Sequence, residues 1–247
     1  MFDLHMHILA GLDDGAESME ESLEMAQMAV RSGILGAAAS SHANLYRGAK
    51  KSAGIGAYVT AFNKFKQRLA AEKIPLTLYP AMEIMADRHA AALLQTGKLL
   101  TINQSRYPLV EFYFDCRPGY MSERLDMIRA AGYTPILAHP ERYDCIRQNP
   151  GILYELHEKG IILQVNKGSI LGHFGSGVRH TARWMLMHRL AGLVASDAHN
   201  TYSRTPDMEA LVQWLEINLG MDSVRILLDE NPRAILSDVK IKPARPV

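Results

Sequence analysis

Two short patterns near opposite ends of the chain have the chemistry of metal ligands. His5 and His7 stand at i and i+2 in FDLHMH, and Asp197 and His199 repeat that spacing in ASDAHN. On an extended strand, residues two apart point to the same side, so each pair can grip one ion. Between these pairs, His42, Glu83, Glu111 and His139 each end a short β-rich run. Imidazoles and carboxylates without a thiolate suit Mn, Fe, Zn or Mg without selecting one. A lone histidine or glutamate at a strand end is ordinarily a hydrogen-bonding residue. Eight of them closing six of seven runs point to one shared site. Asp14 could reach it from the turn Asp13-Asp14-Gly15, which taken alone is ordinary turn chemistry.

The runs that must position these residues lie at 2–7, 35–42, 76–84, 108–112, 134–139, 161–166 and 193–197. Segments with helical periodicity separate them. In the first, Met19, Leu23, Ala26 and Val30 recur at helical spacing, behind Glu17, Glu20 and Glu21 and ahead of Gly33. Acids at the start and glycine past the end suit the helix dipole and the C-cap. Similar patterns run over 56–72, 121–131, 151–159, 179–188 and 207–219. Strands alternating with helices predict parallel βαβ units. At about 35 residues per unit, residues 1–247 form a single α/β domain, most economically a closed or nearly closed (β/α) barrel. In such a barrel the strand C-termini converge on one face, so ligands distant in sequence become neighbours. An open doubly wound sheet is the competitor, but no GxGxxG follows the first run and no Walker motif occurs. Asn231-Pro232 reads as an N-cap with Pro at N1 of a short helix, and residues 238–247 read as a loose tail.

Composition narrows the function. The 27 basic and 26 acidic side chains leave a formal charge of +1, against a protein that coats nucleic acid or inserts into membranes. No apolar run approaches the roughly 18 residues needed to span a bilayer, and the N-terminus lacks a basic signal region. A soluble, cytoplasmic protein is expected. The two cysteines, Cys116 and Cys145, cannot form a disulfide framework. Nor do they fit the CxxxxxR arrangement of cysteine phosphatases, since Ser122 and Gly151 occupy the arginine positions. Of ten histidines, His89, His157, His173, His180 and His188 fall outside the pattern and read as surface or packing residues.

The chain resembles the PHP (polymerase and histidinol phosphatase) metallo-phosphoesterases. The resemblance sharpens to the bacterial capsule and exopolysaccharide protein-tyrosine phosphatases of the CpsB/YwqE type. It is carried by FDLHMHILAGLDDGAESMEESLEMAQ, SSH at 40–42, AMEI at 81–84 and SRYPLVEF at 105–112. It continues through PILAHPERYD at 135–144, QVNKGSILG, and ASDAHN followed by Arg204. The resemblance implies a distorted seven-stranded (β/α) barrel, PHP and TIM-like, around three divalent metal ions, with manganese foremost. The implied ligands are His5, His7, Asp14, His42, Glu83, Glu111, His139, Asp197 and His199. Arg142 and Arg204 are the implied phosphate-handling residues, acting beside Asp197 and His199. The implied substrate is a phosphotyrosyl protein, the tyrosine-rich tail of a cognate bacterial tyrosine kinase governing capsule or exopolysaccharide synthesis. A homo-oligomer is compatible with all of this. One departure lies after SSH: the family places basic residues there, whereas here the sequence is ANLYRGAKK, with cations only at Arg47, Lys50 and Lys51.

The expected reaction is attack by a metal-activated water on phosphorus, with no cysteine phosphoenzyme. Three divalent ions bring about +6 against four carboxylates, a net charge suited to a phosphate dianion. A tyrosine leaving group, with pKa near ~10, needs little acid assistance. Three other functions compete. One is a PHP phosphoesterase for a small metabolite such as histidinol phosphate. Another is a non-enzymatic, metal-stabilised regulator that binds the kinase. An amidohydrolase ranks lowest, because Glu111 and Asn166 stand where those barrels place a lysine and a histidine.

Overall fold

Short runs, most of them buried on both faces, form parallel strands with helices between them. The structure is a computed structural model and describes residues 1–43, 54–241 and 246–247. Its strands are β1 (Phe2–Met6), β2 (Gly36–Ala39), β3 (His42–Ala43), β4 (Thr77–Pro80) and β5 (Glu83–Met85), followed by β6 (Leu109–Glu111), β7 (Ile136–Ala138), β8 (Ile162–Asn166) and β9 (Ala191–Ala195). All pairings are parallel, in two sheets of order β1-β2-β4 and β3-β5-β6-β7-β8-β9. The fold is therefore mixed α/β with parallel sheets. The sheet count is nine segments in two sheets, not seven strands in one, because the second and third expected strands each divide.

Both divisions have a local cause. After Ala39, the N–H of Ser40 donates to Met6 O, and its hydroxyl accepts from Met6 N at 2.9 Å, so the chain turns to β1 instead of continuing beside β4. Opposite, Pro80 brings no N–H to the ladder. The side chain of Tyr58, from the helix Ile55–Ala71, fills the gap. Its hydroxyl donates to Ala39 O at 2.8 Å and accepts from Ala81 N at 2.9 Å, fully buried. The two sheets also meet at the other side, where Met6 bridges Ala198, His7 N donates to Ala198 O and Asp197 N donates to His5 O.

Alternate strand residues enter two separate apolar clusters. Leu109, Ile136, Ala138, Ile162 and Leu193 belong to one. Val110, Leu137, Leu163 and Val194, their neighbours in sequence, join the other with helix residues such as Met25, Leu125, Met185 and Leu211. Both strand faces are thus covered, and the polar strand ends are the remaining functional surface.

The helices at Met19–Arg31, Ile55–Ala71, Pro118–Ala130, Ile152–Glu158, Ser176–Met187 and Glu209–Leu219 lie where periodicity placed them. Ser18 caps the first by accepting from Glu21 N, with Glu20 and Glu21 in the opening turn. Asn231 is not an N-cap: it is itself helical, continuing the turn Ile226–Glu230, and its amide donates to Gly192 O at 2.7 Å. The start of the tail is tied down as well. Asp238 pairs with Arg106, Tyr107 donates to Val239 O, and Ile241 is buried. No helix among the described residues is long and apolar enough to cross a membrane.

Candidate metal centre

The nine residues singled out as ligands converge on one end of the parallel strands. His5 Nε2 lies 3.2 Å from His7 Nε2, 3.3 Å from Glu83 Oε1 and 3.4 Å from Asp197 Oδ1. His7 Nε2 is 3.2 Å from Glu83 Oε2. His42 Nδ1 faces Glu83 at 3.0 Å and Glu111 at 2.8 Å, and His139 Nε2 meets Glu83 Oε1 at 2.9 Å. At the mouth, Asp14 Oδ1 stands 3.4 Å from His42 Nε2 and 3.5 Å from His199 Nε2. Asp14 is the exposed member; His5, His7, Glu83, Glu111, His139, Asp197 and His199 are buried.

Three groups among the described residues have donor atoms within 4.8 Å of one another: His7, Asp14, His42 and His199; His5, His7 and Glu83; and His42, Glu83 and Glu111. Each pair of groups shares one residue, through His7, Glu83 or His42. The donors also fit cations by a test internal to the fold. Among the described residues, His139 Nδ1 is buried with no hydrogen-bond partner, and His42 Nδ1 and Glu111 Oε1, though 2.8 Å apart, meet no aligned one, a costly state for polar atoms. The other nitrogens of His5 and His7 are taken: His5 Nδ1 meets Gln164 Oε1 at 2.9 Å, and His7 Nδ1 meets Asp13 Oδ2 at 2.8 Å. A ring that donates through Nδ1 turns the lone pair of Nε2 inward, which is how outer partners orient metal-binding histidines.

Local backbone geometry places several of these groups. His139 and Asp197 both occupy the left-handed region, at φ 37° and 52°. Non-glycine residues seldom adopt it, and such outliers collect at functional sites. The turn bearing Asp13 and Asp14 presses on His7, where a Cβ at Gly15 would collide with the His7 carbonyl. Asp13 caps that turn by accepting from Gly15 N at 2.9 Å, and it accepts from His42 N at 2.8 Å.

Charges within the cluster compensate one another. Burial works against protonated His5, but Glu83 and Asp197 outweigh it and raise its pKa to about 9. Burial and then His7 press His199 down to about 4. Burial would raise Asp13, yet His7 and hydrogen bonds bring it to about 2. Asp197 is held well below the usual carboxylate range against its burial, by His5 first and Arg204 second.

The two arginines stand over Asp197. Arg204 Nη2 is paired with Asp197 Oδ2, and Arg142 Nη1 lies 3.6 Å from the same oxygen. Arg142 is sandwiched by Phe114 at 4.4 Å and Phe174 at 4.5 Å, and Arg204 lies 5.9 Å from the Phe174 ring. Phe174 rests on Gly168, where a Cβ would come 2.8 Å from the ring. Arg142, Arg204, Phe114, Asp14, His42 and Asp197 line a cavity of about 280 Å³.

Several contributors carried weak sequence signals. Asp13 was indistinguishable from Asp14 within one turn. Gln164 and Asn166 stand at i and i+2 in the apolar strand ILQVN; Asn166 Nδ2 donates to Asp197, and Gln164 Nε2 to Asn166 at 2.8 Å. Two amides on one face of a buried strand are the clue that could have found them. Phe174 had no signal at all. The histidines read as ordinary lie elsewhere, such as His188, stacked on Trp184 at 4.2 Å. The segment with Arg47, Lys50 and Lys51 lies outside the described residues.

The chain is 36% identical to the tyrosine-protein phosphatase YwqE of Bacillus subtilis, over 100% of this chain and 96% of that protein. It is 29% identical to the tyrosine-protein phosphatase CpsB of Streptococcus pneumoniae, over 96% and 99%. A solved structure from work on YwqE and CpsB, described as metal-dependent tyrosine phosphatases, superposes with a TM-score of 0.90 at 36% identity, covering 100% of this chain and 99% of the other. A lactonase from Listeria monocytogenes shares the fold alone, at TM-score 0.62 and 10% identity over 97% and 95%. The model of the family "Capsular polysaccharide synthesis, CpsB/CapC" matches residues 1–237, and the chain belongs to that family.

Proposed function

We propose that this protein is a metal-dependent protein-tyrosine phosphatase. The observation that carries the reading is the convergence of five imidazoles and four carboxylates beneath two arginines, in a chain of the CpsB/CapC family. We read the two sheets as one distorted seven-stranded barrel, joined where Tyr58 spans the strand breaks and where Met6 meets Ala198. His5, His7, Asp14, His42, Glu83, Glu111, His139, Asp197 and His199 would hold three divalent ions, manganese before iron, zinc or magnesium. Such ions supply positive charge against a phosphate dianion and lower the pKa of water toward ~7.

The chain's own residues supply binding and orientation. Arg142 and Arg204 hold the phosphoryl oxygens through charge-assisted hydrogen bonds, exchanging contact with Asp197 for contact with substrate. Phe114, partly exposed at the cavity wall, lies beside the path of an aryl group. His199, with its lowered pKa, is neutral near pH 7 and leaves a lone pair available at the mouth. A phenol leaves with pKa near ~10, so a strongly placed acid is unnecessary. Both cysteines have thiols pushed upward by burial, Cys116 to about 12, which removes them as nucleophiles.

The physiological substrate we propose is the tyrosine-rich tail of a cytoplasmic-side tyrosine kinase that controls capsule or exopolysaccharide synthesis. The test is elemental analysis of one preparation, assayed on phosphotyrosyl peptide, phosphoseryl peptide and histidinol phosphate. Metal-dependent turnover fastest on phosphotyrosine supports the reading. Faster turnover of histidinol phosphate, or full activity after complete metal removal, overturns it.

A further inference from the structure

The cavity over the metal-ligand cluster, at about 280 Å³, is at the small end for a ligand site and has room for a phosphorylated side chain but not the peptide that carries it. The flanking peptide must therefore lie outside, and the surface provides a continuous path. Phe114 and Arg142 are shared with a second hollow of about 480 Å³, which reaches Arg147 and Gly177. Those two residues are shared in turn with an open trough of about 890 Å³ along the helix Ser176–Met187, lined by Arg179, His180, Arg183 and Trp184.

Cationic side chains outnumber carboxylates along this path. Among the described residues, the only carboxylate lining the second hollow is Asp144, already bound to Arg147. Among the described residues, no carboxylate lines the trough and none pairs with Arg179, His180 or Arg183. Arg183 is occupied otherwise, donating to Ile170 O at 3.0 Å and lying over Trp214. Arg179 and His180 are exposed. On a chain with net charge +1, cations along the helix Ser176–Met187 that no described carboxylate neutralises are a local choice of partner, not a global excess.

We propose that this trough binds the acidic residues flanking the phosphotyrosine, so that the enzyme prefers phosphotyrosyl peptides with carboxylates beside the modified residue. The inference rests on the phosphotyrosine reading and adds a sequence preference to it. Carboxylates of the peptide meet Arg179 and His180, while the phosphate enters past Arg142. Contacts this exposed act on encounter and retention, so they alter KM and leave the chemical step unchanged.

The test compares a phosphotyrosyl peptide flanked by glutamates with the same peptide flanked by glutamines, alongside p-nitrophenyl phosphate as a small aryl ester. Wild type should favour the glutamate peptide by roughly fivefold in kcat/KM, the scale of a few exposed ion pairs. That preference should shrink as salt rises to about 0.5 M. In Arg179→Glu with His180→Glu the preference should vanish or reverse through KM, with p-nitrophenyl phosphate turnover unchanged; the milder Arg179→Gln should halve it or more. Normal turnover of the small ester with no peptide preference in wild type, or a preference that survives both variants, overturns the proposal. Failure of wild type on every aryl phosphate, small ester included, instead defeats the phosphatase reading and this inference with it.

Discussion

Asp13 accepts a hydrogen bond from Nδ1 of His7 at 2.8 Å, and this contact aims Nε2 of the same ring at Glu83, 3.2 Å away. The neighbouring Asp14 does something different, standing at the exposed mouth between His42 and His199. Asp13 therefore orients a ligand without being positioned as one. Asp13→Asn should lower divalent-ion affinity by about 10- to 100-fold, the usual cost of losing such a partner. Dialysis against graded metal concentrations followed by elemental analysis measures it. Unchanged occupancy would show that His7 is oriented by other contacts.

Metal removal should soften the whole strand-end surface. Without cations, the buried carboxylates Glu83 and Asp197 depend on protonated imidazoles for compensation, with His5 holding a proton up to about pH 9. Chelation should lower the melting temperature and abolish phosphatase activity, and added divalent ions should restore both. Loading near pH 7 should release protons, because a ligating imidazole must be neutral. Scanning fluorimetry and a weakly buffered pH indicator give the two readouts.

Phe174 touches the guanidinium of Arg142 at 4.5 Å and lies below Arg204 at 5.9 Å. Phe174→Ala should free both arginines and raise KM for phosphotyrosyl peptide by about tenfold, while Phe174→Tyr retains most of the effect of an aromatic face. Steady-state kinetics of the two variants separate this from general destabilisation. An equal defect in both would reject the positioning role.

Lys167 is buried, donating to the carbonyls of Thr205 and Asp207 and so anchoring the loop that carries Arg204. Burial lowers its pKa to about 8 from 10.5. Between those values the unfolded chain binds more proton than the folded one, so stability rises with pH across the window. Relative to Lys167→Met, wild type should gain up to about 3 kcal/mol from pH 8 to pH 10.5. Urea unfolding of both proteins at several pH values checks the slope and its sign.

Tyr58→Phe removes one hydroxyl from a buried site and orphans two backbone groups, Ala39 O and Ala81 N. The cost should be about 2–4 kcal/mol, because unsatisfied buried groups forfeit their full desolvation energy. Chemical denaturation measures it; a loss under about 0.5 kcal/mol would mean water replaces the phenol.

The ligand positions were legible in the sequence because strand geometry converts spacing into direction. His5 with His7, and Asp197 with His199, announce one side of a strand, and parallel topology brings the ends together. The helices were legible for the same reason, from periodicity. What escaped depends on contacts between distant residues. The division of two strands turns on a phenol arriving from the helix Ile55–Ala71, which no local pattern around Ala39 or Pro80 reveals. Asn231 looked like a cap because its neighbour is proline, but tertiary packing continues the helix through it. The supporting shell of Asp13, Gln164, Asn166 and Phe174 is defined by what it touches, so only coordinates expose it.

The bridge between Met6 and Ala198 also sets an order of events during synthesis. His5 and His7 are translated before the strand end that completes their surroundings, which follows about 190 residues later. At elongation rates of roughly 20 residues per second, about 10 s pass between the two. Throughout that interval the nascent chain carries histidines and carboxylates on unfinished strands, open to any passing cation. A complete ligand set therefore forms only once Asp197 and His199 have joined the earlier strands.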